Sequence, residues 1–277
     1  MGPNFKKRVL TAVIGIPVIV LLLLAPAPVM TGAVMICSVI GLYEFYTASG
    51  LKDKKLLCLL GFAAALVIPI VGGQLRPVDS LLLVYLYIVL LFVVMLLSHR
   101  TVTIRDLALL IVSLLYIPYF LSHITFIRTL PYGNFYVWLV FIGAFMTDSC
   151  AYFSGKLFGR HKLCPQISPK KTIEGAVGGV LGCGLSFMLF GLIVNLGFAQ
   201  YLDGQSMSYG RLFLLGLIAA VFSEIGDLVA SIIKRQFAIK DFGHLLPGHG
   251  GILDRCDSII LVAPAIFLFL YKIGIML

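Results

Sequence analysis

Long apolar runs constrain the fold of this chain more than any other feature of its sequence. Of 277 residues, 60% are hydrophobic and only 12% are charged, and the mean hydropathy is +1.06. A soluble domain carries about 25% charged residues. The sequence therefore predicts an all-α, polytopic integral membrane protein.

Nine segments are long and apolar enough to cross a membrane. A membrane-spanning helix needs about 20 mainly apolar residues. The first segment resembles a signal peptide, but a second apolar run follows it directly, so we expect a retained span. We divide the chain into N-terminal transmembrane helices, 1–130, and a C-terminal transmembrane region, 131–277, which carries polar loops 156–172 and 234–256. The predicted spans are approximately 9–25, 28–48, 56–74, 80–98, 105–126, 135–157, 173–197, 210–233 and 257–276.

The distribution of positive charge predicts the orientation of these spans. With the N-terminus in the cytoplasm, 17 of the 21 Lys and Arg residues fall on the cytoplasmic side, as the positive-inside rule requires. Membrane topology then explains the net charge of +9, and no nucleic-acid partner is expected. The six cysteines and five histidines show no metal-binding spacing. Both polar loops should face the cytoplasm, where nucleotides are found.

The stretch 223–258 is unusually polar for its position between two membrane-length segments. It contains five of the twelve acidic residues of the chain. Ionisable groups inside a membrane span are costly and usually mark a functional path or cavity. Four polar residues at positions i, i+3, i+7 and i+10 share one face of the predicted helix, and they are Glu224, Asp227, Ser231 and Lys234.

A glycine-rich loop follows that helix. It contains Lys240, Asp241 and the run Pro247-Gly248-His249-Gly250-Gly251, which can bring backbone N–H groups close to a phosphate. The next helix is predicted to begin near Gly251, with Asp254 and Asp257 on one face of its first turns. Paired carboxylates offer Mg2+ the oxygen ligands that it shares with substrate phosphates. The alternative is a solvated loop followed by a helix-starting pair of acids.

A second polar region runs from Thr147 to Gly175. Asp148 falls inside a predicted span. Three basic residues, Lys156, Arg160 and Lys162, crowd the predicted cytoplasmic end. Simple positive-inside anchoring explains these three as well as a substrate contact does.

Ser168 and Pro169 predict a helix start within this region, with Ser as the N-cap and Pro at the first helical position. Lys170 and Lys171 would then lie in the first turn, where the helix dipole does not favour cations. An anion bound at the same helix N-terminus would explain them.

The residues from Ser231 to Asp257 resemble the signature of the phosphatidate cytidylyltransferase, or CDP-diacylglycerol synthase, family. They read S-I-I-K-R-x4-K-D-x-G-x2-L-P-G-H-G-G-I-L-D-R-x-D, with nearly every fixed position filled. The second polar region resembles two further patterns of the family, D-S-x-A-Y-x-x-G-K-x-F-G-[KR] and S-P-K-K-T-x-E-G. Two positions depart from the family. Cys256 stands where an aliphatic residue is usual, and Ala230 stands where many members have Glu.

The resemblance implies a Mg2+-dependent nucleotidyl transfer in which CTP and phosphatidic acid give CDP-diacylglycerol and pyrophosphate. The lipid phosphate would be the nucleophile, so catalysis would consist of positioning and charge neutralisation without a protein nucleophile. The resemblance also implies that the protein forms a homodimer and that membrane lipids surround it. We expect a bacterial inner-membrane location with the active site facing the cytoplasm.

Site residues follow from the resemblance. We expect Asp227, Asp254 and Asp257 to hold one Mg2+ ion or two cations, with Asp148 and Glu224 as further candidates. Phosphates of CTP or of the lipid would be held by Lys171, Lys234 and Arg235. The remaining predicted substrate contacts are Lys170, Ser231, Lys240, Asp241, His249, Gly250, Gly251 and Arg255.

Two other functions remain open from the sequence. Another membrane lipid enzyme, such as a polyprenol kinase or a cytidylyltransferase for a different lipid phosphate, would need a similar set of residues. A transporter with broken helices could also place acids and glycines within the membrane. A transporter does not need a Lys/Arg-rich loop and an Asp-rich loop on the nucleotide side.

Overall fold

The fold is described by a computed structural model. It covers residues 3–74, 77–245 and 250–277, and it gives the side chains of all of these except 3–12 and 72–80. Within these ranges the chain is helical apart from its connections, the longest of which lies between Gln236 and Leu253, and one two-stranded hairpin. The prediction of an all-α protein is therefore confirmed.

Every predicted apolar segment overlaps a helix, although the last one, 257–276, extends beyond the end of its helix at Lys272. The segment 105–126 contains α5 and α6, which are joined by the π-helical turn Leu115–Tyr119. Short 3-10 turns lie at Leu51–Asp53 and Ala199–Tyr201. The hairpin consists of β1, Lys162–Cys164, and β2, Ser168–Thr172. The helices are α1 Pro3–Leu24, α2 Ala27–Ser49, α3 Lys55–Gln74, α4 Pro77–Leu97, α5 Ile104–Leu114, α6 Phe120–Thr129, α7 Gly133–Phe158, α8 Ile173–Gly197, α9 Tyr209–Gln236 and α10 Leu253–Lys272.

Five helical stretches of the described residues are long and apolar enough to cross a membrane, which agrees with an all-α membrane protein. They are Ala27–Ser49, Ile104–Thr129, Gly133–Phe158, Ile173–Gly197 and Tyr209–Gln236. Shorter apolar helices occupy Val13–Leu24, Lys55–Val71 and Leu81–Leu97.

The chain forms two compact units. The first comprises Met1–Leu130 and Phe237–Cys256, and the second comprises Pro131–Gln236 and Asp257–Leu277. The core of the first unit is built from fully buried aliphatic and aromatic side chains of α2, α5 and the π-helical turn. They include Leu42, Phe45, Leu107, Leu110 and Ile117.

A buried carboxylate fixes the start of α5 in the first unit. Asp106 and Thr103 form a capping box, because Asp106 Oδ2 accepts from the Thr103 N–H at 2.7 Å and Thr103 Oγ1 accepts from the Asp106 N–H at 3.3 Å. The Lys54 ammonium donates to the same Asp106 oxygen and to the carbonyl oxygen of Thr101. Asp106 therefore has a structural role, and it is a buried carboxylate with which others can be compared.

Small residues let α7, α8 and α9 approach closely in the second unit. A Cβ at Gly179 of α8 would lie 3.0 Å from the Ala151 Cβ of α7. A Cβ at Gly216 of α9 would lie 2.7 Å from the Gly184 Cα of α8. Such contacts between glycine faces stabilise helix packing in membranes. They hold together the helices that carry the polar residues of this unit.

Helix α8 begins later than Ser168 and Pro169 predict, so that prediction is wrong. Both residues lie in β2, which pairs antiparallel with β1. Thr172 is the actual N-cap, and its Oγ1 accepts from the Gly175 N–H at 3.2 Å. Strand pairing satisfies the backbone before Thr172, and Thr is itself a good N-cap. Lys170 and Lys171 consequently lie in β2 before the helix, and its dipole does not act on them as it would on residues of the first turn.

Candidate active site

Lys171 lies between two carboxylates of α9. Its Nζ is 2.5 Å from Glu224 Oε2 and 2.8 Å from Asp227 Oδ2. These acids are three residues apart and share a helix face, as their spacing predicts. Burial by itself would lower the pKa of Lys171, but the charges and hydrogen bonds of Asp227 and Glu224 outweigh it and raise the pKa. Lys171 is therefore a cation at neutral pH.

Asp257 brings a further carboxylate to this region of the second unit. It lies close enough to Asp227, Asp148 and Lys234 for their charges to act on it. Its Oδ1 accepts from the Ser258 N–H at 2.9 Å. Three neighbouring carboxylates repel one another unless cations balance them. Lys234, and Lys171 at Asp227, balance part of this negative charge.

Two buried hydroxyl groups, on residues next to these acids in the sequence, lack a hydrogen-bond partner among the described residues. They are Ser223 Oγ and Ser258 Oγ, and both residues are buried. Ser223 precedes Glu224 in the chain, and Ser258 follows Asp257. A buried hydroxyl without a partner costs free energy of about 1–3 kcal/mol. Both hydroxyl groups therefore carry this cost in the folded protein.

The donor set of the second unit suits a hard divalent cation. Carboxylate and hydroxyl oxygens are the ligands that Mg2+ prefers. Asp227 and Asp257 could hold such an ion, with Asp148 and Glu224 nearby. Within the described ranges, no three His, Cys, Asp or Glu side chains are already arranged as a metal-binding set. Mg2+ commonly takes only one or two carboxylates and completes its shell with water and substrate phosphates.

A cavity of about 330 Å³ opens beside Lys171 in the same unit. Its wall contains lysines from α7 and β2 together with the acids of α7 and α9, and apolar surface from Tyr152 and its neighbours. A cavity with cations, carboxylates and apolar wall can receive a phosphate that is attached to an apolar molecule. The charged residues of its wall are Asp148, Lys156, Lys170, Lys171 and Glu224.

Asp254 belongs to the first unit, where it holds the loop before α10. Its Oδ2 accepts from the Phe242 N–H at 2.8 Å and from the Gly251 N–H at 3.0 Å, and only 6% of the residue is exposed. Gly250 has a φ of +82°, which favours glycine. These bonds give Asp254 a structural role. Its role as a metal ligand stays a prediction.

Glu44 of α2 is an important residue that sequence reasoning missed. It is 5% exposed, and its carboxylate accepts from the Ile252 N–H at 3.0 Å and from the Leu253 N–H at 2.8 Å. An acid within an apolar helix was the signal that could have identified it, because the same signal identified Asp227. Its partners lie more than 200 residues away in the chain and could not be read from the sequence.

The other predicted contacts are distributed over both units. Ser231 and Arg235 follow Asp227 on α9, and Lys234 is half-buried beside Asp257. Contacts of all these residues with a substrate stay predictions. In the first unit, Lys240, Asp241 and Arg255 are exposed and Gly251 is buried, whereas His249 lies outside the described residues.

Fold and site together define a helical membrane protein whose carboxylates and lysines line a cavity. The family model for the cytidylyltransferase family matches residues 6–273, and this chain belongs to that family. Proteins named phosphatidate cytidylyltransferase from Staphylococcus epidermidis and Staphylococcus aureus are each 34% identical to it, with 96% of this chain and 99% of the relative aligned. A Rickettsia felis protein of the same name is 36% identical over 78% of this chain and 93% of its own length. The resemblance seen in the two polar regions is thereby confirmed.

Proposed function

We propose that this protein transfers the cytidylyl group of CTP to phosphatidic acid, which gives CDP-diacylglycerol and pyrophosphate. Family membership and the names of the relatives support this activity. An oxygen of the lipid phosphate attacks the α-phosphorus of CTP and forms a new P–O–P bond. The bond from the α-phosphorus to the bridging oxygen of the β-phosphate breaks, and pyrophosphate leaves with the electron pair. The reaction belongs to phospholipid biosynthesis.

The observation that carries the proposal is the cavity of the second unit, which combines lysines with apolar wall. Lys156, Lys170 and Lys171 would neutralise phosphate charge, and Tyr152 would contact apolar parts of the lipid. Phosphoryl-type transfer depends mainly on positioning and on neutralising charge at the phosphate oxygens. A lipid phosphate and a triphosphate both need such a surface.

Lys171 has a specific role in this proposal. An ammonium group has three hydrogen-bond donors. Glu224 and Asp227 accept from Lys171, and the side chain also contributes to the cavity wall. The two carboxylates orient the group and keep it charged, so that it can donate to a phosphate oxygen of the substrate. Its position would then depend on both of these acids.

Mg2+ is the proposed cofactor, and the same carboxylate cluster could hold a second cation. Asp227 and Asp257 would hold it, with Asp148 and Glu224 as further ligands. Asp254 is the third predicted ligand. When bound, Mg2+ would supply charge neutralisation for the triphosphate and orient it. Metal-binding carboxylates would in turn be kept ionised by the ion.

The remaining predicted contacts would complete the substrate site. Polar residues at the end of α9 would bind phosphates, and the loop before α10 would offer backbone N–H groups and side chains. The residues that would make these substrate contacts are Ser231, Lys234, Arg235, Lys240, Asp241, His249, Gly250, Gly251 and Arg255. We also propose that the protein forms a homodimer.

We further propose nine membrane crossings with a cytoplasmic N-terminus, in a bacterial plasma membrane. The positive-inside rule supports this orientation, and the relatives from Staphylococcus and Rickettsia support the bacterial setting. Cys164, in the hairpin, would face the cytoplasm. A membrane-impermeant thiol reagent should label Cys164 in inside-out vesicles but not in intact cells, and labelling in intact cells would contradict the orientation.

A direct assay tests the activity. Purified protein in detergent is given CTP labelled in the cytosine or, in a parallel reaction, at the γ-phosphate, with Mg2+ and either phosphatidic acid, polyprenyl phosphate or polyprenol. A lipid-soluble cytidine product with phosphatidic acid alone is expected. Product with polyprenyl phosphate instead would indicate a different cytidylyltransferase, and phosphorylated polyprenol would indicate a kinase. No lipid product with any acceptor would contradict the proposal. Lys162→Ala, on the exposed face of β1, is the matched lysine control.

A further inference from the structure

Glu44 binds backbone groups that a helix cannot satisfy by itself. The first N–H groups of an α-helix have no acceptor within the helix. Leu253 is the first residue of α10, and Glu44 accepts from its N–H and from the N–H of Ile252. Local side chains usually perform this function, whereas here the acceptor comes from α2. The contact therefore ties the start of α10 to a distant helix of the same unit.

Two glycines of the loop make room for the Glu44 carboxylate. A Cβ at Gly243 would lie 2.8 Å from Glu44 Cδ, and a Cβ at Gly251 would lie 2.5 Å from the same atom. Neither glycine has a positive φ. Backbone conformation thus does not require glycine at these positions, but the space occupied by Glu44 does.

Asp254 completes the arrangement from the other side of the turn. It accepts from the N–H groups of Phe242 and Gly251, so Glu44 and Asp254 together bind the three consecutive N–H groups that end at Leu253. Both acids are at least 94% buried. Charge-assisted hydrogen bonds of this kind are stronger than neutral ones. The turn is therefore held in one conformation by two carboxylates.

We propose that Glu44 is a positioning residue that fixes the turn Gly250–Leu253 and, through it, the residues on either side that contact the nucleotide. Its carboxylate acts on the backbone and does not touch the substrate. Asp241 precedes Phe242, whose N–H donates to Asp254, and Arg255 follows Asp254; both are exposed and depend on this backbone for their positions. The inference rests on the proposed cytidylyl transfer for its effect on turnover, but its effect on the turn is independent of that activity.

The first test is Glu44→Gln in the full-length protein. Gln keeps the volume but replaces one acceptor oxygen by an NH2 group that would face a backbone N–H. We expect kcat for CDP-diacylglycerol formation to fall about 10- to 100-fold, with a smaller change in the KM for CTP. Hydrogen exchange of a peptide containing Ile252 and Leu253 should become faster. Glu44→Asp, which keeps both oxygens on a shorter side chain, should recover part of the lost kcat.

Asp106→Asn is the matched control, because it alters another buried capping carboxylate of the first unit. It should lower the thermal midpoint while kcat per folded molecule and exchange at Leu253 stay unchanged. Wild-type kcat and wild-type exchange in Glu44→Gln would overturn the inference. A matching loss of kcat in Asp106→Asn would also overturn it, because the effect would then follow from general destabilisation.

A double-mutant cycle tests the contact without relying on catalysis. Gly243→Ala should lower the thermal midpoint when Glu44 is present, since the added methyl group meets the carboxylate. In the Glu44→Ala background the same change should cost little further stability. Equal losses in both backgrounds would contradict the contact. A wild-type protein without cytidylyl transfer would overturn the proposed function, whereas the exchange experiment and this cycle would still decide the role of Glu44.

Discussion

The backbone of Gly226 approaches Asp257 so closely that a Cβ at position 226 would lie 2.6 Å from the Asp257 carbonyl oxygen. Real Cβ atoms do not come this close to a backbone atom, and a carbonyl in a helix cannot move aside by itself. The spacing of α9 and α10 at this point therefore depends on glycine. It also sets the distance between the carboxylates of Asp227 and Asp257.

Gly226→Ala should consequently separate α9 from α10 and reduce activity by at least about tenfold, with a lower thermal midpoint. Gly210→Ala is the control in the same helix, because a Cβ there meets no atom within 4 Å. Alanine at that position should be neutral or slightly stabilising. Enzyme assays and thermal unfolding in detergent measure both effects. Wild-type activity in Gly226→Ala would show that the carboxylate spacing is not critical.

Lys171→Met should lower kcat/KM for CTP by about 100-fold, because it removes a cation from the proposed phosphate site. The substitution also leaves Glu224 and Asp227 without their ammonium partner. Lys171→Arg should retain more activity than Lys171→Met, since it keeps the charge. Steady-state kinetics with the Lys162→Ala control measure the effect. A change confined to protein yield would indicate a purely structural role.

The pH dependence of thermal stability should reveal the titration of Lys171 separately from the titration of the acids around it. The folded pKa of Lys171 is raised above its ordinary value, so its charge stabilises the folded protein at all pH values below the unfolded pKa of about 10.4. That contribution is lost as the pH rises through the folded pKa. The gap in thermal midpoint between wild type and Lys171→Met should be constant from about pH 7 to 9 and narrow above about pH 10.5. A gap that already narrows below pH 9 would contradict the raised pKa.

Asp257→Asn should weaken Mg2+ binding in the second unit. A ligand that binds only the folded state raises the thermal midpoint in proportion to its occupancy. We expect a Mg2+-dependent rise for the wild type and a smaller rise for Asp257→Asn, whose midpoint without Mg2+ should be near or above that of the wild type because a carboxylate repulsion is removed. An unchanged Mg2+-dependent rise would exclude Asp257 as a ligand.

Asp254→Asn distinguishes a metal ligand from a purely structural residue, because the structure already gives Asp254 a role in the loop. Asn can still accept hydrogen bonds through its carbonyl oxygen but carries no charge. If Asp254 also binds Mg2+, activity should fall by orders of magnitude while the midpoint without Mg2+ stays near wild type, and the Mg2+-dependent rise should shrink. If Asp254 only anchors Phe242 and Gly251, turnover should remain near wild type.

The helices were predictable here because an apolar run of membrane length indicates a helix without knowledge of its tertiary contacts. The predicted segment 173–197 has the same bounds as α8. The hairpin was not predictable in the same way. Ser168 and Pro169 carry the local signals of a helix start, and only pairing with the strand from Lys162 shows that the helix begins after Thr172.

The candidate site was predicted in its residue types but not in its partners. The face shared by Glu224 and Asp227 followed from helical periodicity. Their common partner Lys171 is more than 50 residues away, and no periodicity extends across two elements. Glu44 was missed for the same reason, since its acceptor role depends on a helix start that lies 208 residues further along the chain.

That separation has a consequence for how the protein is made. At a synthesis rate of about 5–20 residues per second, the ribosome needs roughly 10–40 s to advance from Glu44 across the 208 residues to Ile252. During this interval the carboxylate of α2 has been synthesised but its backbone partners have not. A chain that ends before Ile252 lacks both backbone N–H groups that bind this carboxylate in the folded protein. The contact between Glu44 and the start of α10 can therefore form only after synthesis has passed Leu253.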